Sequence, residues 1–170
     1  MDMQKIMVIG SAGAGKSTFS RKLGDKLNKE VIHLDKIFWK PNWEATEREQ
    51  WTKIIKELSS RDSWIIDGNY GSTLEIRMKN ADTIIFLDFP RNLCMFRVIK
   101  RRYMYMNKKR SDMAEGCKEK LDKEFLKWVW NYPKVERPQV LSLIKSHEKN
   151  KRVIILKNSL EVEEFLRNID

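Results

Sequence analysis

The chain has 170 residues, 41% of them apolar and 34% charged, with a net charge of +10. That length and apolar content suit one α/β domain with a real core, and the basic balance fits an anionic partner. No apolar run approaches the ~20 residues a bilayer span needs, and the two cysteines, Cys94 and Cys117, lack the spacing of a zinc site, so free thiols in a reducing, cytoplasmic setting are expected.

Lys5-Ile6-Met7-Val8-Ile9 is a short apolar run suited to a buried parallel strand, and no signal peptide is expected ahead of it. It leads into Gly10-Ser11-Ala12-Gly13-Ala14-Gly15-Lys16-Ser17-Thr18, which fits G-x-x-x-x-G-K-[ST]. Phe19, Leu23 and Leu27 follow at helical spacing. Strand, glycine turn and helix start are the context in which this pattern cradles phosphate. Glycines let successive N–H groups converge on an anion, and the helix N-terminus adds positive charge. Lys16 is placed to reach the β- and γ-phosphates of ATP, and the Ser17 hydroxyl to ligate Mg²⁺.

Glu30 to Leu34 reads as a second strand ending at Asp35. Residues 36–44 are aromatic and irregular, with Phe38, Trp39 and Trp43. They either wall an acceptor pocket and stack a base, or pack as a buried loop. Thr46 to Glu49 is a capping box that opens a helix with Trp51, Ile54, Ile55 and Leu58 on its apolar face. Ser63 to Ile66 is a third strand ending at Asp67-Gly68-Asn69-Tyr70, and Ser72 to Glu75 is a second capping box, for a helix ending near Lys79.

Thr83 to Leu87 is a fourth strand, stopped by Asp88-Phe89-Pro90. A basic helix is expected from about Arg91 to Met106; between Arg91 and Ser111 lie eight Lys or Arg residues and no acid. Helices are expected over 114–132 and 136–149, bounded by Pro133 and Pro138. Arg152 to Leu156 is the last strand. Ser159 to Ile169 closes the chain as a helix, with Leu160, Val162, Phe165, Leu166 and Ile169 for its buried side. Short apolar strands alternating with helices predict a five-stranded parallel sheet covered on both faces. Asp35, Asp67 and Asp88 then share the P-loop edge of the sheet, where an apolar strand ending in Asp is the pattern of a residue holding Mg²⁺ through water.

Several segments resemble known families. Asp67-Gly68 and Asp88-Phe89-Pro90, followed by Arg97 and Arg101, resemble the strand-end and lid motifs of adenylate kinase-type enzymes. More closely, the segments 33–39, 64–70, 86–91 and 112–117 resemble the bacterial DNA topology modulation (FlaR-type) family, which belongs to the adenylate kinase-related P-loop proteins. The resemblance implies a P-loop NTPase fold of the adenylate kinase type, as one domain with a lid-like helical insert at about 97–135. It implies Lys16 and Ser17 in the P-loop roles, Asp67 in the Mg²⁺-water role, and Arg97 and Arg101 meeting the nucleotide phosphates. Four residues apart, the two arginines share a helix face; solubility is the alternative use of such a run. Asp35 either orients an acceptor hydroxyl or caps the next turn. Arg137 is a further phosphate ligand only by its nearness to the lid. Adenylate kinases follow Asp-Gly with Phe-Pro-Arg, whereas this chain has Asn69-Tyr70 and no arginine before Arg77, which argues against an AMP-like acceptor.

The expected activity is therefore transfer of the γ-phosphoryl group of Mg·ATP to a small nucleotide- or nucleoside-like acceptor. The alternative is a nucleotide-dependent DNA-binding protein without kinase activity. No DNA-recognition motif is visible, so basicity alone predicts salt-sensitive, nonspecific binding to nucleic acid. No membrane association is expected, and no signal sets an oligomeric state.

Overall fold

The computed structural model describes residues 3–105, 111–117 and 122–169. Strand β1 (Lys5–Gly10) runs into the glycine loop and helix α1 (Lys16–Leu27). Strand β2 (Val31–His33) passes into a short helix α2 (Leu34–Phe38), then a hairpin of β3 (Trp39–Lys40) and β4 (Glu44–Ala45). There follow α3 (Arg48–Ser60), β5 (Trp64–Asp67), α4 (Leu74–Asn80), β6 (Thr83–Leu87) and α5 (Arg91–Met104). Helix α6 (Lys123–His147), β7 (Arg152–Leu156) and α7 (Ser159–Arg167) complete the described chain.

The main sheet has the order β2-β5-β1-β6-β7, and every pairing in it is parallel. Strand β1 is central because Ile6, Met7, Val8 and Ile9 are all fully buried, so both faces need cover. Its alternate residues serve two cores. Met7 and Ile9 join Trp51, Ile55, Leu74 and Met78 of α3 and α4. Ile6 and Val8 join Phe19 and Leu23 of α1, Val98 of α5 and Leu166 of α7. From β1 the chain goes to one side of the sheet and later returns to the other. The P-loop thus sits at the switch point, beyond the carboxyl ends of the strands, where such sheets hold ligands.

The five strands and two-sided cover match the sequence expectation, but several local signals resolve differently. Strand β2 stops at His33, because its partner β5 ends at Asp67 in register with it. Leu34 is fully buried as the first residue of α2, and Asp35 lies in that helix rather than at a strand end. Neither capping box forms. The Thr46 hydroxyl donates instead to the Phe38 carbonyl at 2.6 Å, closing the base of the hairpin, and α3 starts two residues later. A 3-10 turn, Gly71–Thr73, precedes α4, whose N-cap Thr73 donates to the Tyr70 carbonyl at 3.4 Å.

Residues 114–117 form a turn, and the expected pair of helices is one helix, α6, running through Pro133 and Pro138. Its true start is the Asp122 cap, whose carboxylate accepts from the Phe125 amide at 2.7 Å. Each internal proline costs about 3 kcal/mol. Burial of Val129, Tyr132, Val140 and Ile144 offsets this, at about 1.5–3 kcal/mol for each large apolar side chain. Val129 belongs to the α1–α5 core, whereas Val140 and Ile144 belong to the α3–α4 core. In α7, Leu160 is 77% exposed, not buried.

Candidate functional site

The loop between β1 and α1 is shaped by its glycines. Gly13 has φ +80°, and a Cβ there would collide with the Cys94 backbone carbonyl of α5. Gly15 caps α1 in the left-handed conformation, without a side-chain cap, and the first turn of α1 holds no acidic residue. The amides at this helix start are therefore left to an outside anion. The Lys16 ammonium folds back onto the Ser11 carbonyl at 3.0 Å. Burial lowers its pKa; Asp35 and Asp67 act the other way, and Arg101 adds to the lowering. These couplings bring Lys16, Asp35, Asp67 and Arg101 into one electrostatic neighbourhood.

Asp67 ends β5 and is almost fully buried. Its Oδ1 meets His33 Nδ1 at 3.0 Å across the strand pair, while its Oδ2 is buried with no protein partner. A buried carboxylate oxygen left open in this way is suited to a metal-bound water. Among the described residues no cluster of three or more His, Cys, Asp or Glu could hold a metal by itself. Ser17 is the second residue of α1, beside Lys16.

On one flank of the P-loop, Arg97 of α5 lies 5.0 Å over the Phe89 ring, with Nη1 3.4 Å from the Ala14 carbonyl and Nη2 3.1 Å from the Ser159 hydroxyl. Arg97, one of the expected arginine pair, is thus turned towards the loop. On the other flank, Asp35 Oδ1 accepts from the Tyr70 hydroxyl at 2.7 Å. Burial pushes that phenol far up, as does the Asp35 charge, while a hydrogen bond from the Trp39 side chain eases it. Phe38 is central to an aromatic group, 4.8 Å from Trp39, 5.0 Å from Trp51 and 4.6 Å from Tyr70 between ring centres. Trp43 lies 5.4 Å from Trp39 and has φ +65°, a costly conformation for a bulky residue.

Three partnerships, each between residues more than 30 positions apart, had no sequence signal: His33 with Asp67, Tyr70 with Asp35, and Arg137 with Asp88. Arg137 grips Asp88 through both carboxylate oxygens, at 2.7 and 2.8 Å. Arg77 is fully buried and donates to the carbonyls of Gly68, Asn69 and Tyr70 at 2.8, 3.4 and 3.0 Å. It organises the turn after β5. Residues 111–117 reach across to the hairpin: the Asn42 amide donates to the Gly116 carbonyl, and Cys117 Sγ lies 3.2 Å from the Lys40 carbonyl. The rest of the lid-like insert includes residues 106–110 and 118–121, which lie outside the described residues. No described helix is long and apolar enough to cross a membrane.

No protein-family model matches the chain. A shikimate kinase of Enterococcus faecalis (strain ATCC 700802 / V583) is 31% identical over 99 residues, covering 50% of this chain and 59% of that protein. The match thus spans little more than half of that relative's length. A shikimate kinase structure from Acinetobacter baumannii, in complex with shikimate, superposes with a TM-score of 0.62 at 17% identity, covering 98% of this chain and 90% of that one. A deoxyadenosine kinase structure from M. mycoides, with dCMP and dCDP bound, gives 0.53 at 14% identity, with 95% and 94% covered. At such identities the likeness is one of architecture, and with the parallel sheet and the glycine loop it fixes the fold as that of the P-loop kinases.

Proposed function

We propose that this protein is a P-loop phosphotransferase that moves the γ-phosphoryl group of ATP to a hydroxyl of a small acceptor. The observation that carries the reading is the glycine loop at the start of α1, whose helix N-terminus has no side-chain cap and no acid in its first turn, with the Lys16 ammonium folded onto the Ser11 carbonyl at 3.0 Å. The loop amides and Lys16 bind the triphosphate. Residues Gly10, Ser11, Ala12, Gly13, Ala14, Gly15 and Thr18 form this cradle. Ser17 and Asp67 would hold Mg²⁺, the hydroxyl directly and the carboxylate through water; the ion supplies charge neutralisation at the β- and γ-phosphates. Arg97 and Arg101 neutralise charge on the transferring group from the α5 flank. Asp35, fixed by Tyr70, faces the acceptor and takes its hydroxyl proton. The insert at about 97–135 acts as a lid on a single domain, excluding water as a competing acceptor.

Part of the aromatic hairpin and the Asp67 turn lie within segments that resemble the FlaR-type family. The DNA-binding alternative is less favoured, because Arg97 is committed to the loop and Arg91 lies 4.2 Å over the Trp130 ring instead of facing a duplex.

Titration calorimetry with Mg·ATP tests the reading. Lys16→Ala should weaken binding at least tenfold while circular dichroism and melting stay unchanged; equal affinity in the two proteins overturns it. A labelled-ATP acceptor screen comparing wild type with Asp35→Asn then tests the acceptor side.

A further inference from the structure

Building on that reading, we propose that His33 is a positioning residue: it locks the Asp67 carboxylate so that one oxygen, Oδ2, is held for a water on Mg²⁺. Strand register brings the two side chains together. His33 and Asp67 are the last residues of β2 and β5 and lie opposite each other. On its other side Asp67 is paired with Val8 of β1, the strand that runs into the glycine loop. Neighbours in register on parallel strands project from the same face of the sheet. A carboxylate oxygen accepts, so Nδ1 carries the hydrogen and donates it to Oδ1 at 3.0 Å. The two side chains are only 11% and 5% exposed, so bulk water competes little for this bond. Oδ2 is left buried with no protein partner, an arrangement that is costly until a further donor reaches it.

The same two segments are tied a second time, in the opposite sense. Just beyond His33, Asp35 accepts at 2.7 Å from the hydroxyl of Tyr70, which follows Asp67 in the turn after β5. Between these two anchor points the buried Arg77 guanidinium holds the Gly68, Asn69 and Tyr70 carbonyls, so the backbone joining them is braced. The result is a reciprocal clasp. The β2–α2 junction grips the carboxylate on the metal side, and the turn after β5 grips the carboxylate on the acceptor side. The two halves therefore have separable effects: Tyr70 acts through Asp35 on the acceptor, and His33 acts through Asp67 on the metal. Neither bond involves the glycine loop, so ATP without metal should not feel the loss of His33.

The test is calorimetric binding of ATP in excess Mg²⁺ and in EDTA, which reads the metal's contribution apart from turnover. In wild type, Mg²⁺ should tighten ATP binding at least tenfold. His33→Ala should cut that gain to threefold or less, while its affinity in EDTA stays within threefold of wild type. His33→Asn, whose amide can place an N–H where Nδ1 stood, should restore the gain. Asp67→Asn should lose the gain, and adding His33→Ala to it should cost nothing more. If circular dichroism shows His33→Ala unfolded, His33→Gln takes its place, since its longer side chain fills the space but carries its amide past the Nδ1 position. A full Mg²⁺ gain in the loss variant overturns the inference. So does an equal loss of affinity with and without metal, the mark of a merely structural residue. A wild type that binds ATP with no gain from Mg²⁺ overturns it as well. All three leave the kinase reading standing, whereas absence of ATP binding by wild type in both conditions sinks both.

Discussion

Arg137 on α6 and Asp88 at the end of β6 form a two-pronged ion pair, Nε to Oδ1 at 2.7 Å and Nη2 to Oδ2 at 2.8 Å. The hydrogen bonds to Asp88 raise the guanidinium pKa against the cost of burial. The pair clamps the strand-end turn to the helix beside it. Since the Arg137 side chain is 39% exposed, screening trims its worth. Arg137→Ala should lower stability by about 1 kcal/mol, read as a lower denaturant midpoint. Its Mg·ATP affinity should stay within threefold of wild type. A tenfold loss of affinity would instead make Arg137 a phosphate ligand.

The backbone of the loop is as specific as its lysine. Gly13→Ala adds a Cβ against the Cys94 carbonyl at a left-handed φ, so either the loop or α5 has to shift. The expected cost is about 1–3 kcal/mol, with loss of ATP binding. Gly71→Ala is the control: a Cβ there meets nothing within 4 Å, and stability should move by no more than about 0.5 kcal/mol. Thermal melts and calorimetry on the two variants decide the point.

Lys16 gives a pH dependence with a defined sign. Burial lowers its pKa in the free protein, whereas a bound triphosphate raises it again. The free protein therefore sheds this proton below the ordinary lysine value of 10.5, and ATP takes it back up. Affinity should fall as pH rises through the lowered pKa. In that window binding should show proton uptake in calorimetry run in buffers of different ionisation enthalpy; Lys16→Ala should show none. An affinity flat up to pH 10.5 would refute this account.

Arg97 and Tyr70 should separate the two flanks. Arg97→Ala removes a cation beside the loop and should cut kcat about 10²-fold or more, with a smaller change in ATP affinity. Tyr70→Phe removes the hydroxyl that holds Asp35 and should raise acceptor KM several-fold. It should cost about 1 kcal/mol of stability and leave ATP binding intact. The opposite pattern, with ATP binding lost in Tyr70→Phe, would reverse the assignment of flanks.

The parts legible in the sequence were those governed by short-range pattern. An apolar run of four or five residues before a turn or helix start announces a buried parallel strand wherever it lies, so β1, β5, β6 and β7 are readable. So is the phosphate cradle, whose residues are contiguous. The misreadings came from competition at longer range. Thr46 has the right neighbours for a cap, but the Phe38 carbonyl eight residues earlier takes its hydroxyl. Pro133 and Pro138 signal helix ends, but buried side chains on either side of them hold α6 continuous. His33 looked isolated because its partner, Asp67, is 34 positions away and is brought opposite only by strand register. Arg77 carried no mark of its burial, since the carbonyls that receive it belong to a turn whose shape no residue pattern states.

Helix α6 contributes Val129 to the packing on one side of the sheet and Val140 and Ile144 to the packing on the other. A single rod shared by two layers denies each of them an independent melting temperature: loosening one strips the other of its anchor. Heat or denaturant should therefore take both away in one cooperative step, and slow amide exchange should extend with similar protection along the whole of β1, the strand that both layers cover.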